Sequence, residues 1–187
     1  GAGRGTLAVD ILQALAGKDC LPERYLILET SADLRARQAR TLQEYCPELA
    51  ERVIWLEALP GGFQGAVIAN EVCDAMPFDV LSFREDGVFN CHVAANPAFE
   101  WQDKPITAPA LQRRAEIIQK QIRPPYISEV SVQADAWLNS LARSLDQGAV
   151  FLVDYGYGQS ELLQADRAAG SLLCHYRHRA HRDPFWY

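Results

Sequence analysis

The chain has 187 residues, 49% of them apolar and 22% charged, with a formal net charge of −6. This is the composition of an ordinary globular protein, long enough for one domain with a sizeable core, and it argues against a basic nucleic-acid coat. No apolar run approaches the roughly 20 residues that a bilayer span needs.

The five cysteines (Cys20, Cys46, Cys73, Cys91 and Cys174) are scattered and odd in number, with no Cys-x-x-Cys. They read as reduced thiols in a cytosol-like compartment, with neither a disulfide framework nor a zinc site. No signal peptide is visible, and a missing N-terminus would hide one.

The chain opens on Gly1-Ala2-Gly3-Arg4-Gly5-Thr6-Leu7, which runs into an apolar stripe at Leu7, Ile11, Leu12 and Leu15. Glycines at alternate positions permit a tight turn and a close ligand approach. A helix starting there points free N–H groups and its positive dipole end at whatever the turn holds. A helix is predicted over Thr6 to Ala16, ended by Gly17. The strand that should lead into such a loop is absent, so the sequence is expected to begin inside a larger protein.

Tyr25 to Glu29 is a short apolar run ending in an acid, predicted as a buried strand. Leu34, Ala39, Leu42 and Tyr45 predict a helix over Ala32 to Tyr45, with Ser31 as its cap. Val53 to Leu56 is strand-like, and Gly61-Gly62 a turn. Gly65 to Glu71 reads as another buried strand, and Gly148 to Gly156 repeats its form. Val132 to Leu145 is predicted as an amphipathic helix through Trp137, Leu138, Leu141 and Leu145.

Strands alternating with helices, each running from apolar to polar, indicate a parallel sheet covered on both faces. Ligands of such sheets bind beyond the carboxyl ends of the strands, where Glu29, Glu57, Asn70, Glu71 and Asp154 fall. Residues 78–126 break the alternation. Asp79 to Phe89 predicts a hairpin turning at Glu85-Asp86-Gly87. Asn96 to Pro109 reads as irregular. Leu111 to Ile122 predicts a helix stopped by Pro124-Pro125. The expectation is a single truncated domain over 1–187, with this segment inserted as a substrate cap.

The glycine loop lacks the Gly-Lys-Ser/Thr ending of a P-loop. Glu29, ending the next strand, can accept both ribose hydroxyls of a nucleoside. That leaves NAD or S-adenosylmethionine, and Thr6 stands where the dinucleotide fingerprint needs its last glycine. Asn70-Glu71-Val72-Cys73-Asp74-Ala75-Met76-Pro77 then falls at the sheet edge, beside the reactive end of either cofactor. The pair Glu71 and Asp74 suits a guanidinium through bidentate hydrogen bonds. Its alternative is structural, with Asp74 capping the next turn.

These segments, with Asp154-Tyr155-Gly156-Tyr157, Glu129-Val130-Ser131, Gly170-Ser171-Leu172 and Asp183-Pro184-Phe185, resemble the MidA family. That is the family of a mitochondrial complex I assembly factor that is a protein arginine methyltransferase. The resemblance runs over essentially the whole chain. It implies an α/β, Rossmann-like class I S-adenosylmethionine-dependent methyltransferase fold, mostly parallel, with S-adenosyl-L-methionine as cofactor. Carried over by position, it implies that Gly1, Gly3 and Gly5 approach the cofactor's methionine portion and Glu29 its ribose. Leu56 and Glu57 then flank adenine, while Asn70 and Glu71 face the reaction centre. Cys73 and Met76 depart from the family, which more often has aromatic and aliphatic residues there.

Glu71 is the leading catalytic candidate, with Asp74 or Glu129 as second acid; the other reading of Glu129 is a partner for local arginines. His175, His178 and His181, interleaved with Arg177, Arg179 and Arg182, read as a basic strand or loop and not as a metal site. Trp101 is a substrate-pocket candidate. The expected partner is an arginine-containing protein substrate, with no nucleic acid and no membrane span, and a homodimer is an option. The expected compartment is the cytoplasm of a bacterium or the mitochondrial matrix of a eukaryote. Two competing readings stand beside this one: a non-catalytic assembly factor on a methyltransferase fold, and a nicotinamide oxidoreductase.

Overall fold

The computed structural model describes residues 1–186. In chain order, α1 (Thr6–Ala16) is followed by β1 (Tyr25–Leu28), α2 (Ala32–Tyr45), α3 (Pro47–Ala50), β2 (Val53–Leu56) and β3 (Phe63–Asn70). Next come β4 (Asp79–Arg84), β5 (Gly87–Ala95), β6 (Phe99–Pro105), α4 (Pro109–Gln119) and β7 (Tyr126–Val130). Then follow α5 (Val132–Ser144), β8 (Leu145–Val153), α6 (Gln159–Leu162), β9 (Cys174–Tyr176) and β10 (Arg179–His181). The chain divides into two compact units, one of Gly1–Ala75 with Trp137–Tyr155, the other of Met76–Ala136 with the segment from Gly156 onward.

In the first unit, local signals set the helix ends. Gly5, at φ 92, turns the chain into α1, whose face of Ala8, Val9 and Leu12 is buried. Ser31 caps α2 by accepting from the Leu34 N–H at 3.3 Å, and Asp33 pairs with Arg37 one turn on at 2.9 Å. These helices bury Leu42, Cys46 and Leu49 against Ile27 of β1 and Val53 of β2. Strands β1 and β2 pair in parallel from Tyr25↔Val53 to Leu28↔Leu56. Strands β3 and β8 also pair in parallel, with Asn70 opposite Val153. The two come so close at Gly65 and Gly148 that a Cβ on Gly148 would lie 1.8 Å from the Gly65 carbonyl oxygen. Only glycine fits there, and its φ of +145° is open to glycine alone.

The second unit holds a four-stranded antiparallel sheet in the order β6-β5-β4-β7. Leu81 and Phe83 of β4 and Tyr126 and Val130 of β7 pack on Leu111 and Ala115 of α4.

The expected helices are present, α4 starting at Pro109 and ending at Gln119. Three expectations are corrected. The mostly parallel sheet is realised as two two-stranded parallel ladders in the first unit, while the larger sheet is antiparallel. Hairpins join β4 to β5 and β5 to β6, and short connections of that kind run neighbouring strands in opposite directions. Part of the irregular segment from Asn96 to Pro109 is the strand β6, because Phe99 to Pro105 find ladder partners along β5. Strands β3 and β8 are not the buried strands expected over residues 65–71 and 148–156: Ile68 is 46%, Phe151 56% and Val153 55% exposed, since neither apolar cluster reaches them. No helix among the described residues is long and apolar enough to cross a membrane.

Candidate cofactor and reaction site

The glycine loop is a closed turn, with the Gly5 N–H donating to the Ala2 carbonyl at 3.0 Å. No side chain caps the start of α1. Its first N–H groups are therefore available to an anionic or carboxylate-bearing ligand.

Glu29 lies half-buried just beyond β1. Its Oε1 accepts from the Ser31 N–H at 2.9 Å, and its Oε2 from the Gln38 amide at 3.2 Å. A carboxylate held by one donor on each oxygen keeps further lone pairs free on both. Gln38 also donates to the Gly3 carbonyl at 2.9 Å and accepts from the Trp55 indole N–H at 2.8 Å. Arg35 binds the ends of both strands of this ladder, donating to the Glu29 carbonyl and, at 2.9 Å, to that of Leu56. It also faces the exposed Glu57 carboxylate at 3.7 Å. Thr30, Ala32, Arg35 and Glu57 line a shallow concavity at these strand ends.

The second cluster sits at the ends of β3 and β8. Gly1 donates from its nitrogen to the Asn70 carbonyl, so the glycine loop starts beside the end of β3. Glu71 follows in the left-handed region at φ 47, its N–H donating to the Val153 carbonyl at 2.8 Å. A glutamate gains nothing locally from that conformation, and strained non-glycine residues concentrate at functional sites. Asp154, just past β8, accepts from the Cys73 and Asp74 N–H groups at 3.0 and 3.3 Å. It thereby holds the turn that carries Asp74. The Tyr155 hydroxyl donates to the Asp74 carboxylate. That bond and the Asp74 charge raise the Tyr155 pKa above its ordinary value. Burial, with the charges of Asp154 and Asp74, pushes the Cys73 thiol up as well.

Within the first unit the structure thus connects Gly1, Gly3, Gly5 and Glu29 through Gln38 and the Asn70 carbonyl. It gathers Glu71, Asp74, Asp154 and Tyr155 at one strand end. Glu129 lies on β7 in the second unit. Its carboxylate accepts from the Ser171 N–H at 2.9 Å, the Ser171 hydroxyl at 2.7 Å and the Leu172 N–H at 2.9 Å. The histidine-rich stretch forms the β9–β10 hairpin, with His175 opposite Ala180 and Cys174 opposite His181. Trp101, on β6, packs against Phe185 with ring centroids 5.1 Å apart.

Gln38, Trp55 and Arg35 are not among the site residues expected from the sequence. A signal for Gln38 existed: it stands between Leu34 and Leu42 at four-residue spacing, an amide on the apolar stripe of α2.

A family model described as a putative S-adenosyl-L-methionine-dependent methyltransferase matches residues 1–187, and the chain belongs to that family. The cofactor named by that description is the one the glycine loop, Glu29 and the resemblance led to. Two solved structures from Burkholderia thailandensis are similar to the chain. One, the native structure of an uncharacterized superfamily protein, shares 39% identity at a TM-score of 0.90, covering 100% of this chain and 50% of that one. The other, a superfamily member bound to S-adenosyl-homocysteine, shares 40% identity at a TM-score of 0.89, covering 100% of this chain and 48% of that one. The chain therefore spans about half the length of the structures it matches. None of the curated proteins matches it.

Proposed function

We propose that this chain carries the donor-binding region of a methyltransferase of Rossmann-like class I type that modifies arginine in a partner protein, as in the MidA family it resembles. The observation that carries the reading is the acidic turn Glu71–Asp74, which follows directly on Asn70, the residue whose carbonyl meets the start of the glycine loop. The relative bound to S-adenosyl-homocysteine supports the choice of donor. In this reading the free thiols of all five cysteines suit a reducing compartment, the cytoplasm of a bacterium.

S-adenosylmethionine, when bound, supplies a methyl group already activated on a sulfonium. The protein must align the nucleophile and exclude water. Gly1, Gly3 and Gly5, with the uncapped start of α1, accommodate the methionine portion. Glu29 accepts from the ribose hydroxyls, and Leu56 and Glu57 border the adenine. Glu71 and Asp74 would grip the guanidinium and draw its delocalised charge away from the attacking nitrogen, and Glu71 would accept the proton that this nitrogen loses on methylation.

Calorimetry on the full-length protein tests the donor site: S-adenosylmethionine should bind, and Glu29→Ala should weaken it strongly. Binding of NAD with no binding of S-adenosylmethionine would overturn the reading. Arginine methylation scored by mass spectrometry in lysates with and without the protein tests the substrate class. If Glu71→Ala abolishes methylation but leaves assembly of co-purified partners intact, scaffolding is the main role.

A further inference from the structure

Gln38 is the only polar residue among the largest fully buried side chains of the described residues apart from Ser128, at 0% exposure. Its amide has one solution. The two hydrogens on Nε2 go to the Gly3 carbonyl and the Glu29 carboxylate, which only accept, and Oε1 takes the Trp55 indole N–H, which only donates. A flipped amide would set oxygen against oxygen and N–H against N–H. The backbone is just as close: a Cβ on Gly5 would lie 3.1 Å from the Gln38 Cα. The glycine loop thus rests on α2 at the residue whose side chain also reaches the strand-end acid.

We propose that Gln38 is the positioning residue of the donor site. Its amide holds the glycine loop and the Glu29 carboxylate at one spacing, so that the two ends of an adenosyl ligand are received together. This rests on the cofactor reading above and adds a residue to it. Glu29 is restrained from both sides, by the Ser31 N–H on Oε1 and by Gln38 on Oε2. Each oxygen retains a lone pair, which matches two neighbouring ribose hydroxyls. Without the amide, the Glu29 carboxylate would be free to turn, and the ribose preference of the site would go with it.

The test is calorimetric titration of the intact protein with S-adenosylhomocysteine and with its 2′-deoxy analogue. The variants are Gln38→Met, Glu29→Gln and the pair together. Gln38→Met should bind S-adenosylhomocysteine about ten-fold more weakly, in line with loss of a hydrogen bond to a charged group. It should also narrow the preference over the deoxy analogue. In the Glu29→Gln background the same substitution should produce no further change in the ribose preference, because Gln38 reaches the ribose end through Glu29, while the loss of the Gly3 contact weakens both ligands alike. Trp55→Phe removes the donor to Oε1 together with part of a ring packed on the core, leaves the Gln38 amide in place, and should shift the ribose preference in the same direction; it carries the test if Gln38→Met does not fold. Unchanged ribose preference in the variant that folds would overturn the proposal, as would a narrowing of that preference of the same size in the Glu29→Gln background. Failure of the wild-type protein to bind either ligand would overturn the donor-site reading itself, a result distinct from any difference between variants.

Discussion

Gly5 packs directly on Gln38, its missing side chain leaving 3.1 Å between the place a Cβ would take and the Gln38 Cα. Gly5 also sits at φ 92. Backbone conformation and close approach therefore demand glycine independently, and both are satisfied where the chain enters α1.

Gly5→Ala should accordingly lose stability by about 1–3 kcal/mol through backbone strain alone. The contact with α2 adds to this unless the loop moves away. A denaturant melt beside a donor-binding titration measures both. Wild-type stability in Gly5→Ala would show that the loop relaxes at no expense.

Glu71, also in the left-handed region, presents the opposite case. Glu71→Gly should gain about 1 kcal/mol of stability by relieving that conformation, while abolishing methyl transfer. Glu71→Gln keeps the strain and, in the role proposed for Glu71, should lower the kcat of the full-length protein by about 10²–10⁴, the usual range for a group that handles a proton. Steady-state kinetics with thermal melts of both variants separates strain from chemistry.

Tyr155 gives a pH signature. Its pKa is raised chiefly by the hydrogen bond to Asp74. A raised pKa means that the folded state favours the protonated phenol. The contact therefore contributes fully below the unfolded value of about 10 and is lost as pH climbs through the higher folded value. The tyrosinate absorbance of wild type minus Tyr155→Phe should show one phenol titrating above its ordinary range. A difference curve at or below that range would deny the contact with Asp74.

Glu129 offers a choice between two roles. Its carboxylate holds the Ser171 and Leu172 N–H groups, and a Cβ on Gly170 would lie 2.6 Å from its Oε1. Glu129→Gln should therefore destabilise the protein by about 1–3 kcal/mol, since an amide presents an N–H where an oxygen accepted before. Loss of turnover at unchanged stability would instead assign it a part in the chemistry.

Much of the first unit was legible along the chain because its signals are local. Ser31 and Gly17 mark helix ends, and the spacing of Leu34 and Leu42 marks a helix face, by interactions spanning only a few residues. The strand ends carrying Glu29 and Asn70 could be placed for the same reason. Strand β6 could not, because its pairing with β5 draws on partners that its own alternation does not display.

The sequence by itself determined which segments become helices and which acids stand at strand ends, since capping and periodicity act over one or two turns. It also carried the motifs that mark the methyltransferase family. Only the tertiary structure decided what those residues do to one another. Asp154 comes to hold the Asp74 turn from 80 positions away, and the Gln38 amide joins a glycine loop 35 residues behind it to a tryptophan 17 residues ahead. A hydrogen bond depends on distance in space, and a buried amide shows its partners only once the chain has closed around it.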